Sequence, residues 1–260
     1  MPLGDDKKIG MTYNTTGIIL RYRDVGEFDR IYTVLSAEHG KIDGWAQGIR
    51  KPKSKLVSHL QPLYFCDFMF ARGRRFDRIA QVRVLNRFSE LWNDLQKMSH
   101  AMYAASLVDQ VLRPGTKEKA VFALLEDVLK VISDGGGNGT LTMFSFKLLR
   151  ETGFSPELRN CVFCKKEVSG LSRAFDAVRG GVICGACAVQ GQSFSVSSLT
   201  LETLETILTS PLAHLEMPDM ISRELEKIAR SMIEAHFGEE PRARMFLDGI
   251  ARPLPQMTTV

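Results

Sequence analysis

The chain has 260 residues, 44% of them apolar and 25% charged, and a formal net charge of +4, which excludes a collagen-like or disordered composition and leaves room for about two packed domains. No stretch approaches the roughly 18 uncharged apolar residues that a membrane span needs. Residues 1–10 lack the apolar core and cleavage pattern of a secretory leader, so neither a membrane-spanning nor a secreted protein is expected.

The charge is segregated along the chain. Residues 11–88 carry 14 Lys and Arg against 7 Asp and Glu, whereas residues 89–260 carry 18 against 21. A concentrated positive face raises the local concentration of anions and favours phosphate-rich partners. A merely soluble surface would account for the total but not for its segregation.

Met11 opens the ordered-looking sequence, and residues 1–10 are expected to be a disordered N-terminal extension. Five β-rich segments follow, at 15–20, 30–35, 41–49, 60–70 and 76–88, separated by Gly26, Gly40 and Arg72-Gly73-Arg74. Five strands in about 75 residues suit a small closed barrel, of the OB or the SH3-like kind. Cys66 alternates onto one face with Tyr64, Phe68 and Phe70, the pattern of a small core residue.

Two basic clusters interrupt these strands. Arg50-Lys51-Pro52-Lys53-Ser54-Lys55 places four cations and no acid between the third and fourth strands, and Arg72, Arg74, Arg75 and Arg78 surround the turn between the fourth and fifth. Either cluster alone reads equally well as a solvated loop. Together on a barrel they favour a groove that tracks a phosphate backbone. Trp45 shares a strand face with Lys41, Asp43 and Gln47, which makes it either a stacking platform for a base or an edge-packed core residue. Tyr22, between Arg21 and Arg23, is a weaker platform of the same kind. Asp24, Glu27 and Asp29 read as surface partners for the arginines.

From residue 89 the apolar period becomes helical. Leu91, Leu95, Met98, Met102 and Leu107 follow it, as do Val121, Leu124, Leu125, Val128 and Leu129. Residues 134–139 hold four glycines and read as a loop or flexible linker. A further helix begins around Leu141 and ends at Gly153, and two more are predicted over 199–208 and 220–237. These apolar stripes read as core.

Inside this helical half lie Cys161-x2-Cys164 and Cys184-x2-Cys187, separated by nineteen residues. Two residues between cysteines let a tight knuckle aim both thiolates at one tetrahedral ion, and two such knuckles complete four sulfur ligands. The intervening alternation around Phe175 and the Gly180-Gly181 turn describe a zinc ribbon over about residues 158–190. Disulfides are disfavoured in a reducing compartment. Four thiolates leave no open position, so one structural Zn2+ is expected, not a catalytic one. His214-Leu215-Glu216 superficially supplies the H-x-E element of a zinc deaminase, but that family places it before its cysteine pair, and here the order is reversed. There is no G-x-x-x-x-G-K-[ST] and no G-x-S-x-G. No catalytic constellation is expected.

At this point the ordered motifs resemble a known family. Gly17-Ile18-Ile19-Leu20, the run from Glu27 to Leu35, Gly40-Lys41, Gly48-Ile49 with the basic stretch to Lys55, and Leu60-Gln61-Pro62 resemble the opening of RecO recombination-repair mediators. Phe146-Lys147-Leu148-Leu149, Gly153-Phe154, Pro156 and Cys161-Val162-Phe163-Cys164 continue the likeness, which runs from about Met11 to Phe237. The ten-residue extension, Trp45 and the glycine tract are departures. The resemblance implies an α+β protein: an N-terminal five-stranded OB-fold barrel over 11–88, then a helical domain over 89–260 carrying the four-cysteine zinc ribbon.

It also implies non-catalytic work in the bacterial cytoplasm on the nucleoid. That work is binding single- and double-stranded DNA, annealing complementary strands, and acting with RecR to replace SSB by RecA at gaps. No membrane or small-molecule substrate is implied. The candidate DNA contacts are Arg21, Arg23, Lys41, Trp45, Arg50, Lys51, Lys53, Lys55, Arg72, Arg74, Arg75 and Arg78. An acidic, apolar SSB tail would need an apolar pocket edged by cations, for which Arg113, Lys117, Lys119, Lys147 and Arg150 are candidates. The alternative from the residues alone is a zinc-ribbon factor that scaffolds a transcription or translation complex, with a zinc hydrolase a distant third.

Overall fold

The computed structural model describes residues 11–168, 172–188, 193–244 and 247, so the N-terminal extension at 1–10 and the ends of the ribbon loops lie outside the described residues. Strands β1 (Thr12–Val25), β2 (Asp29–Ser36), β3 (Gly40–Ala46), β4 (Phe65–Ala71) and β5 (Asp77–Asn86) close into a barrel in the order β1-β2-β3-β5-β4. A short parallel contact between β3 and β5 closes it, with Trp45 beside Arg78. This order is the OB topology. Ile19, Tyr32, Val34, Ile42, Cys66, Phe68, Phe70 and Ile79 fill the interior. Cys66 is a core residue: burial pushes its thiol up to about 12, and its S–H donates to the His59 carbonyl at 3.7 Å.

The third and fourth strands are shorter than their sequences suggest. β3 stops at Ala46 and β4 begins at Phe65, because Gly48 and Leu63 adopt left-handed backbone (φ 65° and 68°) that a strand does not accommodate. The apolar residues between them are used differently: Ile49 and Leu60 turn inward and cap the barrel core.

Helices α1 (Ser89–Trp92), α2 (Leu95–Val111), α3 (Lys119–Ser133) and α4 (Asn138–Glu151) follow, then, after the cysteine-bearing sheet, α5 (Ser198–Thr209) and α6 (Asp219–Phe237). Asp94 starts α2 by accepting the N–H groups of Gln96 and Lys97. Gly153, at φ 88°, ends α4. The glycine tract is a tight corner and not a flexible linker: Gly135 and Gly136 donate back to Ile132 and Val131 of α3, and Asn138 and Gly139 already belong to α4. No helix among the described residues is long and apolar enough to cross a membrane.

The barrel and the helices share one seam. Ile18, Leu20 and Leu35 project outward from β1 and β2 into the helical core, alongside Leu107, Leu125 and Phe146. Their strands therefore carry unbroken apolar runs instead of an alternation. Charge fixes the edge of the seam: Asp109 of α2 accepts Arg21 Nε at 2.5 Å and Lys41 Nζ at 3.0 Å. Lys41 also donates to the Asp109 carbonyl, and Gly115 N–H reaches the Lys41 carbonyl at 3.3 Å. Gly40, at φ 68°, sits so close to the Thr116 carbonyl that a side chain there would collide with backbone.

Asp109→Ala would strand the Lys41 ammonium, only 10% exposed, without a counter-charge. A loss of about 2 kcal/mol is expected, read as a lower midpoint of urea unfolding. An unchanged midpoint would mean that the apolar contacts alone hold the seam.

Candidate nucleic-acid interface and metal centre

The four cysteines converge. β6 (Ser172–Asp176) and β7 (Gly181–Ile183) form an antiparallel hairpin with Phe175 beside Val182, turning at Gly180 (φ 68°). A third strand, β8 (Ser193–Ser197), pairs with the other edge of β6. Its short Ser-Phe-Ser-Val-Ser alternation carries too little apolar signal to be read from sequence. Glu157 braces the approach to the first knuckle, its carboxylate accepting the N–H groups of Arg159 and Asn160 at 2.9 Å each. Lys165 turns left-handed (φ 61°) and donates to the Cys161 carbonyl, while Cys187 N–H closes on Cys184 in the second knuckle.

The four sulfurs lie within 4.8 Å of one another, and the Cys164 and Cys184 sulfurs are 3.7 Å apart. A tetrahedron with metal–sulfur bonds of about 2.3 Å has edges of about 3.8 Å. All four thiols are free, at a separation unlike that of a disulfide. Burial opposes ionisation of Cys161, but the N–H groups of Cys164, Cys184 and Phe163 aimed at its sulfur lower its pKa. The set could hold one metal ion with no coordination position left for substrate. Phe175 and Val182 of the hairpin belong to the same core as the helices, so an ion held there would clamp a part of the fold.

On the barrel, strand register assembles a separate surface. Arg23 lies beside Ile31, Ile31 beside Trp45, and Trp45 beside Arg78, so these side chains form a row on one face. Asp29 braces the row by accepting the Trp45 indole N–H at 3.0 Å and the Gly48 N–H at 2.7 Å. Next to it, Lys51, Lys53, Lys55 and Arg78 line an open cleft of about 510 Å³. Aromatic rings interleave with the cations: Arg23 and Arg75 flank Phe76, and Lys51 lies over Phe28 at 5.5 Å from the ring centre. Phe28, about 39% exposed at the β1–β2 turn, was not singled out from sequence. Its position in an otherwise polar turn was the available signal.

Pairing divides the candidate contacts into two classes. Arg21 and Lys41 are held by Asp109, and Arg50 lies 3.4 Å from Asp24, which Arg30 also binds. The hydrogen bond from Arg30, together with the nearby Arg50 charge, holds the Asp24 carboxyl below its usual range. Among the described residues, Arg23, Lys51, Lys53, Lys55, Arg72, Arg74, Arg75 and Arg78 have no carboxylate within 4.0 Å.

The five cations expected to edge a partner pocket fall into two groups. Lys147 is buried and its ammonium donates to the Ser210 carbonyl, while Arg150 donates to the Leu208 carbonyl and pairs with Glu151. Both therefore finish the last turn of α5, and burial lowers the Lys147 pKa. Arg113, Lys117 and Lys119 are exposed, at and just after the α2–α3 connection.

The family described as Recombination protein O N terminal matches residues 11–88, and that described as Recombination protein O C terminal matches residues 93–245. The chain is similar to the DNA repair protein RecO of Desulforamulus reducens, 32% identical over 240 residues that cover 91% of this chain and 94% of the relative. It is likewise 32% identical to that of Pelotomaculum thermopropionicum over 240 residues, 91% and 93% of the two chains. The RecO protein of Dehalococcoides mccartyi is 32% identical over 242 residues, 92% and 96% of the two chains.

Purified chain is expected to carry one metal ion, and Cys161→Ser should lose it. Melting should then fall by roughly 10 °C, corresponding to about 3 kcal/mol or more. Metal analysis with calorimetry on both proteins checks this.

Proposed function

Because the chain belongs to the RecO recombination-protein family, we propose that it is a DNA-binding mediator that anneals complementary single strands without nucleotide hydrolysis. One observation carries the reading: the Arg23–Trp45–Arg78 row and the Lys51–Lys53–Lys55 loop form a cationic, aromatic-bearing face whose five cations have no carboxylate within 4.0 Å among the described residues.

Single-stranded nucleic acid is held on such a face by charge attraction to the backbone and by base stacking of about 1–3 kcal/mol per base. Cations that hold phosphates leave Watson–Crick edges free to meet a second strand, which is what annealing requires. Trp45, oriented by Asp29, is the stacking residue. RecR and the acidic SSB tail are the proteins through which this activity would reach SSB-coated gaps in the cytoplasm, with RecA loading as the outcome. The cysteine site is assigned Zn2+, held by Cys161, Cys164, Cys184 and Cys187. Four thiolates suit that soft, tetrahedral ion, and its contribution is to stability.

The decisive experiment anneals SSB-coated complementary strands without ATP, with and without RecR, alongside single-strand binding over a range of salt. Lys51→Glu, Lys53→Glu and Arg78→Glu together should weaken binding at least about tenfold and flatten the salt dependence by about 0.7 per lost phosphate contact. Annealing should slow in step. A folded triple variant with unchanged binding would overturn the assignment of this face.

A further inference from the structure

The loop joining α2 to α3 does not stand apart from the barrel. It is pinned to the β2–β3 turn by Gly115 N–H on the Lys41 carbonyl and by the Thr116 carbonyl packed against Gly40. That places Lys117 beside His39, the residue preceding Gly40. Tyr13 packs against His39, their ring centres 4.8 Å apart, and over Tyr13 lies the Arg72 guanidinium, 4.7 Å from the ring centre. Burial, together with the Lys117 and Arg72 charges, lowers the His39 pKa against the opposing Glu38 and Asp77 carboxylates.

This seam is pre-ordered, and two carboxylates face it as well as the two cations. Tyr13 stacks on Phe70 at 5.5 Å, and its hydroxyl donates to Asp77 at 2.7 Å. Asp77 is itself buried and also accepts the Gly73 N–H at 3.1 Å. Glu38, the other nearby acid, accepts from Thr15 at 2.7 Å and Ser36 at 3.1 Å. Among the described residues neither Arg72 nor Lys117 has a carboxylate within 4.0 Å. Glu118 is the single acid among Arg113, Lys117 and Lys119. Arg72 and Lys117, neither in an ion pair among the described residues, stand around the Tyr13 and His39 rings and are placed to meet a phosphate backbone.

The seam also continues the barrel face. Ala71 lies beside Arg78 in the β4–β5 hairpin, so Arg72 on one side of that turn and Arg78 of the cleft on the other are the two flanks of a single loop. We propose that bound single-stranded DNA does not end at the barrel but crosses the β4–β5 turn and the Tyr13–His39 seam, with Lys117 of the helical domain as a further phosphate contact. The two domains would then share one strand, and the rigid seam between them would set its path. This inference rests on the barrel-face reading above and lengthens the site it describes.

The test separates the two. Affinity of the full chain is measured for labelled single strands of increasing length, from about the 4-nucleotide minimum of an OB fold to well beyond its 16-nucleotide maximum, at several salt concentrations. Lys117→Glu, with folding checked by circular dichroism, should bind short strands as the native chain does and long strands about tenfold more weakly. Its salt dependence on long strands should be shallower by about 0.7. Equal binding of long strands by both proteins would overturn the extended track while leaving the barrel reading intact. No single-strand binding by the native chain would overturn the barrel reading itself. An acidic peptide with an apolar C-terminus is included as a probe. If Lys117→Glu loses that peptide but keeps the native length dependence, the loop serves a protein partner and the track is overturned.

Discussion

Strands β1 and β2 are buried on both faces over residues 17–20 and 31–36, and the rest of the structure depends on that condition. Ile19 and Val34 point into the barrel, while Ile18 and Leu35 point into the helices. Neither domain can bury its apolar surface without the other. Asp109 then fixes where they meet, because two cations of the barrel, Arg21 and Lys41, converge on one carboxylate of α2. With Lys41 only 10% exposed, the pairing has to be geometrically sound to offset desolvation. A barrel held this way is a rigid platform whose outer loops keep a defined position relative to the helices.

That arrangement sorts the positive charge of the N-terminal half. Arg21 and Lys41 at the Asp109 edge, and Arg30 and Arg50 near the β1–β2 turn, meet acids and are neutralised; among the described residues, the cations of the open face and the β4–β5 turn do not. The excess charge of residues 11–88 is therefore concentrated on the Arg23–Trp45–Arg78 row, the lysine loop beside it and the β4–β5 turn. Screening by salt weakens this field over about 10 Å at 0.1 M ionic strength, so proximity among these residues matters more than their number.

The cysteine site answers a different need. Its hairpin is short, and the side chains it buries, Phe175 and Val182, join the helical core only if both knuckles hold their shape. Four sulfur donors around one ion would supply the cross-link that so few residues cannot supply by packing.

The amino-acid sequence by itself determined the five strands, the helices, the buried role of Cys66 and the two cysteine knuckles. Each depends on short-range pattern: strand alternation, helical period, turn glycines, or ligand spacing. It also marked the two basic clusters, because loops rich in cations are visible as composition. Only the tertiary structure decided which cations remain unpaired. Asp109 lies 68 residues from Lys41 and 88 from Arg21, and Ser210 lies 63 from Lys147; no local pattern reports such meetings. The same holds for Trp45, whose face was legible but whose restraint by Asp29 was not, and for Lys117, whose neighbours are chosen by a glycine contact across the seam. Whether a charged side chain is available to a ligand depends on what lies within about 4 Å of it, and in this fold those neighbours come from remote parts of the chain.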